Sequence, residues 1–132
     1  MKKPGSVTEF GPQRDQELLN AFKSQLHLLG ALPIQELFIR AAKQPASRFW
    51  VSERRAAAVI SRMMKGDKIL TMNPKKREMF YELFRRVKRL REDSPDMTLS
   101  EAAFQAVNST APEFYLTPKS ARVMIYRLRS AG

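Results

Sequence analysis

The sequence predicts an all-α fold of two tandem three-helix units produced by an internal duplication with an offset of 65. Three observations carry that prediction. Apolar residues recur at helical spacing through six segments. Helix start signals stand ahead of most of those segments. Residues 49–60, FWVSERRAAAVI, are echoed at 114–125, FYLTPKSARVMI. Applied without a gap to residues 14–66, an offset of 65 makes ten positions identical, among them Glu17/Glu82, Glu36/Glu101, Ala46/Ala111, Phe49/Phe114, Ala56/Ala121, Ile60/Ile125 and Arg62/Arg127. A gapless match through three successive segments reads as a tandem duplication.

The expected order is a flexible tail over 1–12, one three-helix repeat over 13–66, a linker over 67–73, and a second repeat over 74–132. The first helix of each repeat spans about 13–29 and 75–91. Leu18, Leu19, Phe22, Leu26 and Leu29 share one face of the first; Phe80, Leu83, Phe84, Val87 and Leu90 share one face of the second. Asn73-Pro74 supplies an N-cap followed by proline at the first helical position. The second helices cover about 34–43 and 99–108, the latter opened by Thr98-Leu99-Ser100-Glu101, a capping-box pattern.

The third helices follow Ser52 and Thr117, both good N-caps, and Pro118 takes the first helical position in the second copy. Ala56, Val59, Ile60 and Met63 form the inward face of one; Ala121, Met124, Ile125 and Leu128 repeat it. Gly66 fits a helix stop. Between second and third helices runs an extended connector in which Phe49 and Phe114 plug a core and Val51 and Leu116 act as hydrophobic staples. Trp50 and Tyr115 pack against the first helix or form an exposed stacking platform. His27, beside Leu26 and Leu28, is expected to be half-buried structure.

Composition narrows the function. The chain has 132 residues, 43% hydrophobic, with 24 Lys and Arg against 13 Asp and Glu, a formal charge of +11. That balance favours a polyanionic partner, nucleic acid above all. Cysteine is absent, so no thiolate metal site exists and a reducing, cytoplasmic compartment is expected. The opening MKKPGSVTEFGPQRD lacks the apolar run of a signal peptide, and no membrane partner is expected. One histidine, scattered acids and no Gly-rich phosphate loop argue against an enzyme; neither metal nor cofactor is expected.

Three short helices with the last held across the second resemble helix-turn-helix DNA-binding domains, a likeness of class that covers both repeats. The joint Gln44 to Val51 is longer than the tight corner of that class. The chain also resembles a group of small uncharacterised bacterial proteins, which implies no activity. The helix-turn-helix resemblance implies a recognition role for the third helices in a small regulator of transcription or an accessory factor. Their outward positions are Arg54, Ala58, Ser61, Arg62 and Lys65, and Lys119, Val123, Tyr126 and Arg127, with Arg122 and Arg129 on a flank; Arg55 and Arg122 join the candidate DNA contacts. Arginine there can read guanine edges, and Ala58 lets the helix lie close to the groove floor. Backbone N–H groups after Ser52 and Thr117 offer phosphate contacts. Lys75, Lys76, Arg77, Arg85, Lys88 and Arg89 on the fourth helix form a second cationic strip for the phosphate backbone, while Glu82 pairs with Arg86 at i,i+4 spacing.

The expected partner is therefore double-stranded DNA, bound by a monomer at an asymmetric or direct-repeat site, as head-to-tail units would read it. Two alternatives are a protein-interaction module using Trp50, Tyr115, Phe10 and the seven methionines, and RNA binding with Trp50 and Tyr115 as stacking groups.

Overall fold

A computed structural model of the chain describes residues 6–131, and those residues are all-α. Helix α1 runs Ser6–Lys23, followed by a single 3-10 turn at Leu26–Leu28; then come α2 (Ile34–Ala42), α3 (Glu53–Met64), α4 (Pro74–Asp93), α5 (Leu99–Val107) and α6 (Pro118–Ala131). The starts follow the expected chemistry. The side chains of Ser52, Asn73 and Thr98 accept from Arg55 N, Lys76 N and Glu101 N, and Glu101 accepts in return from Thr98 N, completing a capping box. Gly66, at φ +103°, ends α3 in the left-handed conformation that only glycine adopts without strain.

Two local expectations are corrected. The flexible tail over 1–12 is helical from Ser6, with Pro12 inside α1; residues 1–5 lie outside the described residues. The first helix does not run to 29 but stops at Lys23. Its chain then tightens through the 3-10 turn, leaving Leu29 half-exposed and His27 exposed, with Nδ1 3.0 Å from the Ser24 carbonyl.

The packing order is the larger difference. Helix α3 does not lie on α1 and α2, its neighbours in sequence. It packs on α5 and α4, while α6 packs on α2 and α1. The aromatic contacts follow the same exchange: Phe38 of α2 meets Tyr126 of α6 at 5.3 Å, and the Arg129 guanidinium of α6 lies 5.5 Å above the Phe22 ring of α1. Across the other group, Arg55 of α3 sits 5.9 Å from the Phe80 ring of α4.

The ten-residue connectors, 43–52 and 108–117, make this exchange. They meet where Ala46 N donates to Ala111 O at 3.0 Å and Ala111 N donates to Ala46 O at 2.9 Å, an isolated antiparallel bridge. Phe49 N then donates to Val107 O (3.0 Å) and Phe114 N to Ala42 O (2.9 Å). Rings stack across the junction in the same reciprocal way, Phe49 on Tyr115 at 6.0 Å and Trp50 on Phe114 at 6.5 Å. Each partner is thus matched by residues 65 positions away. Apolar periodicity does not specify this choice, because the buried faces of α3 and α6 carry similar residues at the same spacing. The connectors permit the crossing and their backbone bonds hold it: ten residues could reach about 33 Å when extended, where a corner of three or four would fold α3 back onto α2.

Phe49 and Phe114 are buried at this junction as expected, and Val51 is buried beside them. Trp50 is only 8% exposed, so no stacking platform exists there. Its Nε1 has no hydrogen-bond acceptor among the described residues. Tyr115 adopts a left-handed backbone, φ +57°, which costs a residue with a Cβ roughly 1–2 kcal/mol; its ring stacks on Phe49, a contact that contributes about 0.5–1.5 kcal/mol in the opposite direction.

Because the two helix groups share this junction, Phe114→Ala should remove about 3–5 kcal/mol and still unfold in one transition. Trp50 fluorescence and helical circular dichroism, followed together in urea, check this. Separate midpoints would mean that the groups are independent.

Candidate nucleic-acid interface

The junction fixes which sides of α3 and α6 face outward. On α3, Ala56, Val59, Ile60 and Met63 are buried, and Arg54, Arg55, Ala58, Arg62 and Lys65 are exposed, with Ser61 half-buried. On α6, Ala121 and Ile125 are buried, Met124 and Leu128 are half-buried, and Lys119, Arg122, Val123, Tyr126 and Arg127 are exposed. The 100° turn per residue places them so. Tyr126 divides its ring between solvent and Phe38.

Acid partners separate the cations into two classes. Arg54, Lys65, Lys119, Arg122 and Arg127 form no ion pair among the described residues, whereas Arg62 Nε is 3.2 Å from Asp67 Oδ2. Helix α6 contains four basic residues and no Asp or Glu. Helix α3 begins with Glu53, whose carboxylate accepts from Asn108 Nδ2 at 3.0 Å. That hydrogen bond holds the Glu53 carboxyl below its ordinary value against the opposing effect of burial. A fixed negative charge in the first turn works against a phosphate at the α3 N-terminus, and the Ser52 and Thr117 hydroxyls are themselves occupied as caps.

The strip on α4 is more structural than its sequence suggests. Lys75 Nζ lies 3.0 Å from Glu113 and 3.6 Å from Glu78, which supply the anion its position near a helix N-terminus calls for. Burial pushes the Lys75 ammonium down, but hydrogen bonding and attraction to Glu113 outweigh it and raise its pKa. Arg85 and Arg86 both bind Glu82. Burial pushes the Glu82 carboxyl up; its hydrogen bonds from Arg85 and Arg86 prevail and hold it low. Arg86 also donates to Ser109 Oγ (2.9 Å) and Thr110 O (2.7 Å) and covers the Phe49 ring at 4.9 Å. Lys76, Lys88 and Arg89 remain exposed, while Arg77 is half-buried with its Nε lacking a partner among the described residues.

Sequence reasoning missed the residues that tie the connectors down. Glu17 of α1 accepts from Ser47 N at 3.0 Å, and Arg48 donates to the Phe49 and Val51 carbonyls at 3.0 and 2.9 Å. The available signal was Glu17/Glu82, an identity at two polar positions where none is needed for a helix.

No helix among the described residues is long and apolar enough to cross a membrane. Comparison with protein families, with curated proteins and with solved structures finds no match.

Tyr115 provides a pH test of the junction. Burial, and then the negative charges of Glu82 and Glu113, push its hydroxyl up to about 12 from its ordinary value near 10. The folded chain therefore keeps a proton that the unfolded chain releases, so this stabilisation is intact below about pH 10 and lost between about 10 and 12. Lys75, also raised, acts in the same direction. Urea midpoints should fall through that range, and less steeply in Tyr115→Phe. An unchanged slope in the variant would place the tyrosine outside the packed junction.

Proposed function

We propose that this chain is a duplicated three-helix sequence, with each third helix seated on the first two helices of the other half, that binds double-stranded DNA through α3 and α6 in the manner of helix-turn-helix recognition helices, as a small regulator or accessory factor. The observation that carries the reading is the outward face of α6. Lys119, Arg122 and Arg127 are solvent-exposed, no acidic residue occurs on the helix, and Val123 lies between them. A helix of this kind fits a major groove, where cations meet phosphates and arginine meets base edges. Arg54, Arg62 and Lys65 give α3 a related but partly neutralised face. The reciprocal pairing of residues 65 apart supports the duplication. Of the two groups that base stacking on RNA would use, Trp50 is buried and Tyr115 is half-buried with its ring stacked on Phe49.

Anisotropy titrations against duplex DNA, single-stranded RNA and heparin at two salt concentrations test the reading. Duplex should bind best, with affinity falling steeply as salt rises because phosphate contacts release counterions. Replacing Arg54, Arg62, Lys119 and Arg127 together by alanine should weaken duplex binding at least about tenfold. It should also lower the salt slope by about one for each phosphate that is no longer neutralised, with the circular-dichroism spectrum unchanged. Equal, salt-insensitive binding to all three ligands would reject DNA as the partner and favour a protein-interaction module.

A further inference from the structure

We propose that the duplex bound by this chain presents two half-sites in inverted orientation about a dyad. The inference rests on the DNA-binding reading above and specifies its substrate. It replaces the direct-repeat site that head-to-tail units imply.

The contacts at the junction come in reciprocal pairs. Let the operation that carries residue i onto residue i+65 act on them. Ala46 N to Ala111 O becomes Ala111 N to Ala46 O, and Phe49 N to Val107 O becomes Phe114 N to Ala42 O. Phe49 on Tyr115 becomes Phe114 on Trp50. The packing of α3 on α4 and α5 becomes that of α6 on α1 and α2. Performed twice, the operation returns each contact to itself, which is the property of a two-fold axis. A head-to-tail arrangement would instead be heterologous: residue i would meet j+65 without j meeting i+65.

Two helices related by such an axis engage one duplex equivalently when the protein axis coincides with a dyad of the DNA. The sugar-phosphate backbone possesses that dyad whatever its base sequence, because its strands are antiparallel. The half-sites are therefore inverted in layout. Their bases match only in part, since the outward positions have diverged: Arg54 corresponds to Lys119 and Ser61 to Tyr126, while Arg62 and Arg127 are the same residue.

The chain has no cysteine, so single thiols can be introduced cleanly. Ala58 and Val123 are 65 apart and both exposed on the proposed DNA faces. Ala58→Cys and Val123→Cys, each carrying an iron chelate that cleaves nearby DNA, are mixed with a duplex selected from a random pool by the unmodified full chain. Each tag should cut one half-site, and the two patterns should interchange strands about a common centre. Ethylation interference with the untagged protein should show phosphates arranged about that centre, which removes dependence on the variants. Patterns that repeat on the same strands with a simple displacement would overturn the inverted arrangement and leave DNA binding standing. Interference confined to one half-site would also overturn it. Retention of no duplex from the pool would reject the DNA reading itself, and this inference with it.

Discussion

Everything in this molecule is referred to the place where the two ten-residue connectors meet, Ala46 against Ala111. Two backbone hydrogen bonds close that bridge, and two more from Phe49 and Phe114 tie each connector to the second helix of the other half. Their combined worth is modest in net free energy, since each replaces a bond to water. Their consequence is topological. Once the connectors cross, α3 must deliver its buried face to α4 and α5, and α6 must deliver its face to α1 and α2. Both alanines of the bridge are buried, and two pairs of stacked rings flank it in sequence.

Much of the architecture was readable from local chemistry. The helices, the caps at Ser52, Asn73 and Thr98, the Gly66 stop and the buried stripe of α3 follow from spacing and end signals. What was not readable is which stripe meets which. Ala56-Val59-Ile60-Met63 and Ala121-Met124-Ile125-Leu128 present similar volumes at the same spacing, so a pattern of polar and apolar residues is degenerate between two pairings. The discriminating feature, a connector too long for a tight corner, was present in the sequence, but its meaning is non-local. The early end of α1 was hidden for a related reason: Leu26 and Leu29 keep the apolar rhythm of Leu18 and Phe22 although the chain has left the α-helix at Lys23.

Charge is likewise divided by the fold in a way that counting does not reveal. Lys75, Arg85 and Arg86 are held by Glu113, Glu78 and Glu82, and Arg86 is as much a cover for the junction as a cation. The cations of α6 have no such acidic neighbours on their helix. A surface ion pair contributes little to stability, yet it lowers the potential that a polyanion feels. The acid-free face of α6 is for that reason the stronger part of the proposed interface, and α3, with Glu53 and Asp67 beside its arginines, the weaker.

The exchange of third helices is tested most directly by nuclear Overhauser contacts in the full chain. Methyl groups of Val59 and Ile60 should show contacts to side chains of α4 and α5, and those of Ile125 to side chains of α1 and α2. Contacts from Val59 and Ile60 to α1 and α2 instead would contradict the crossed arrangement, and with it the proposed two-fold relation between the halves.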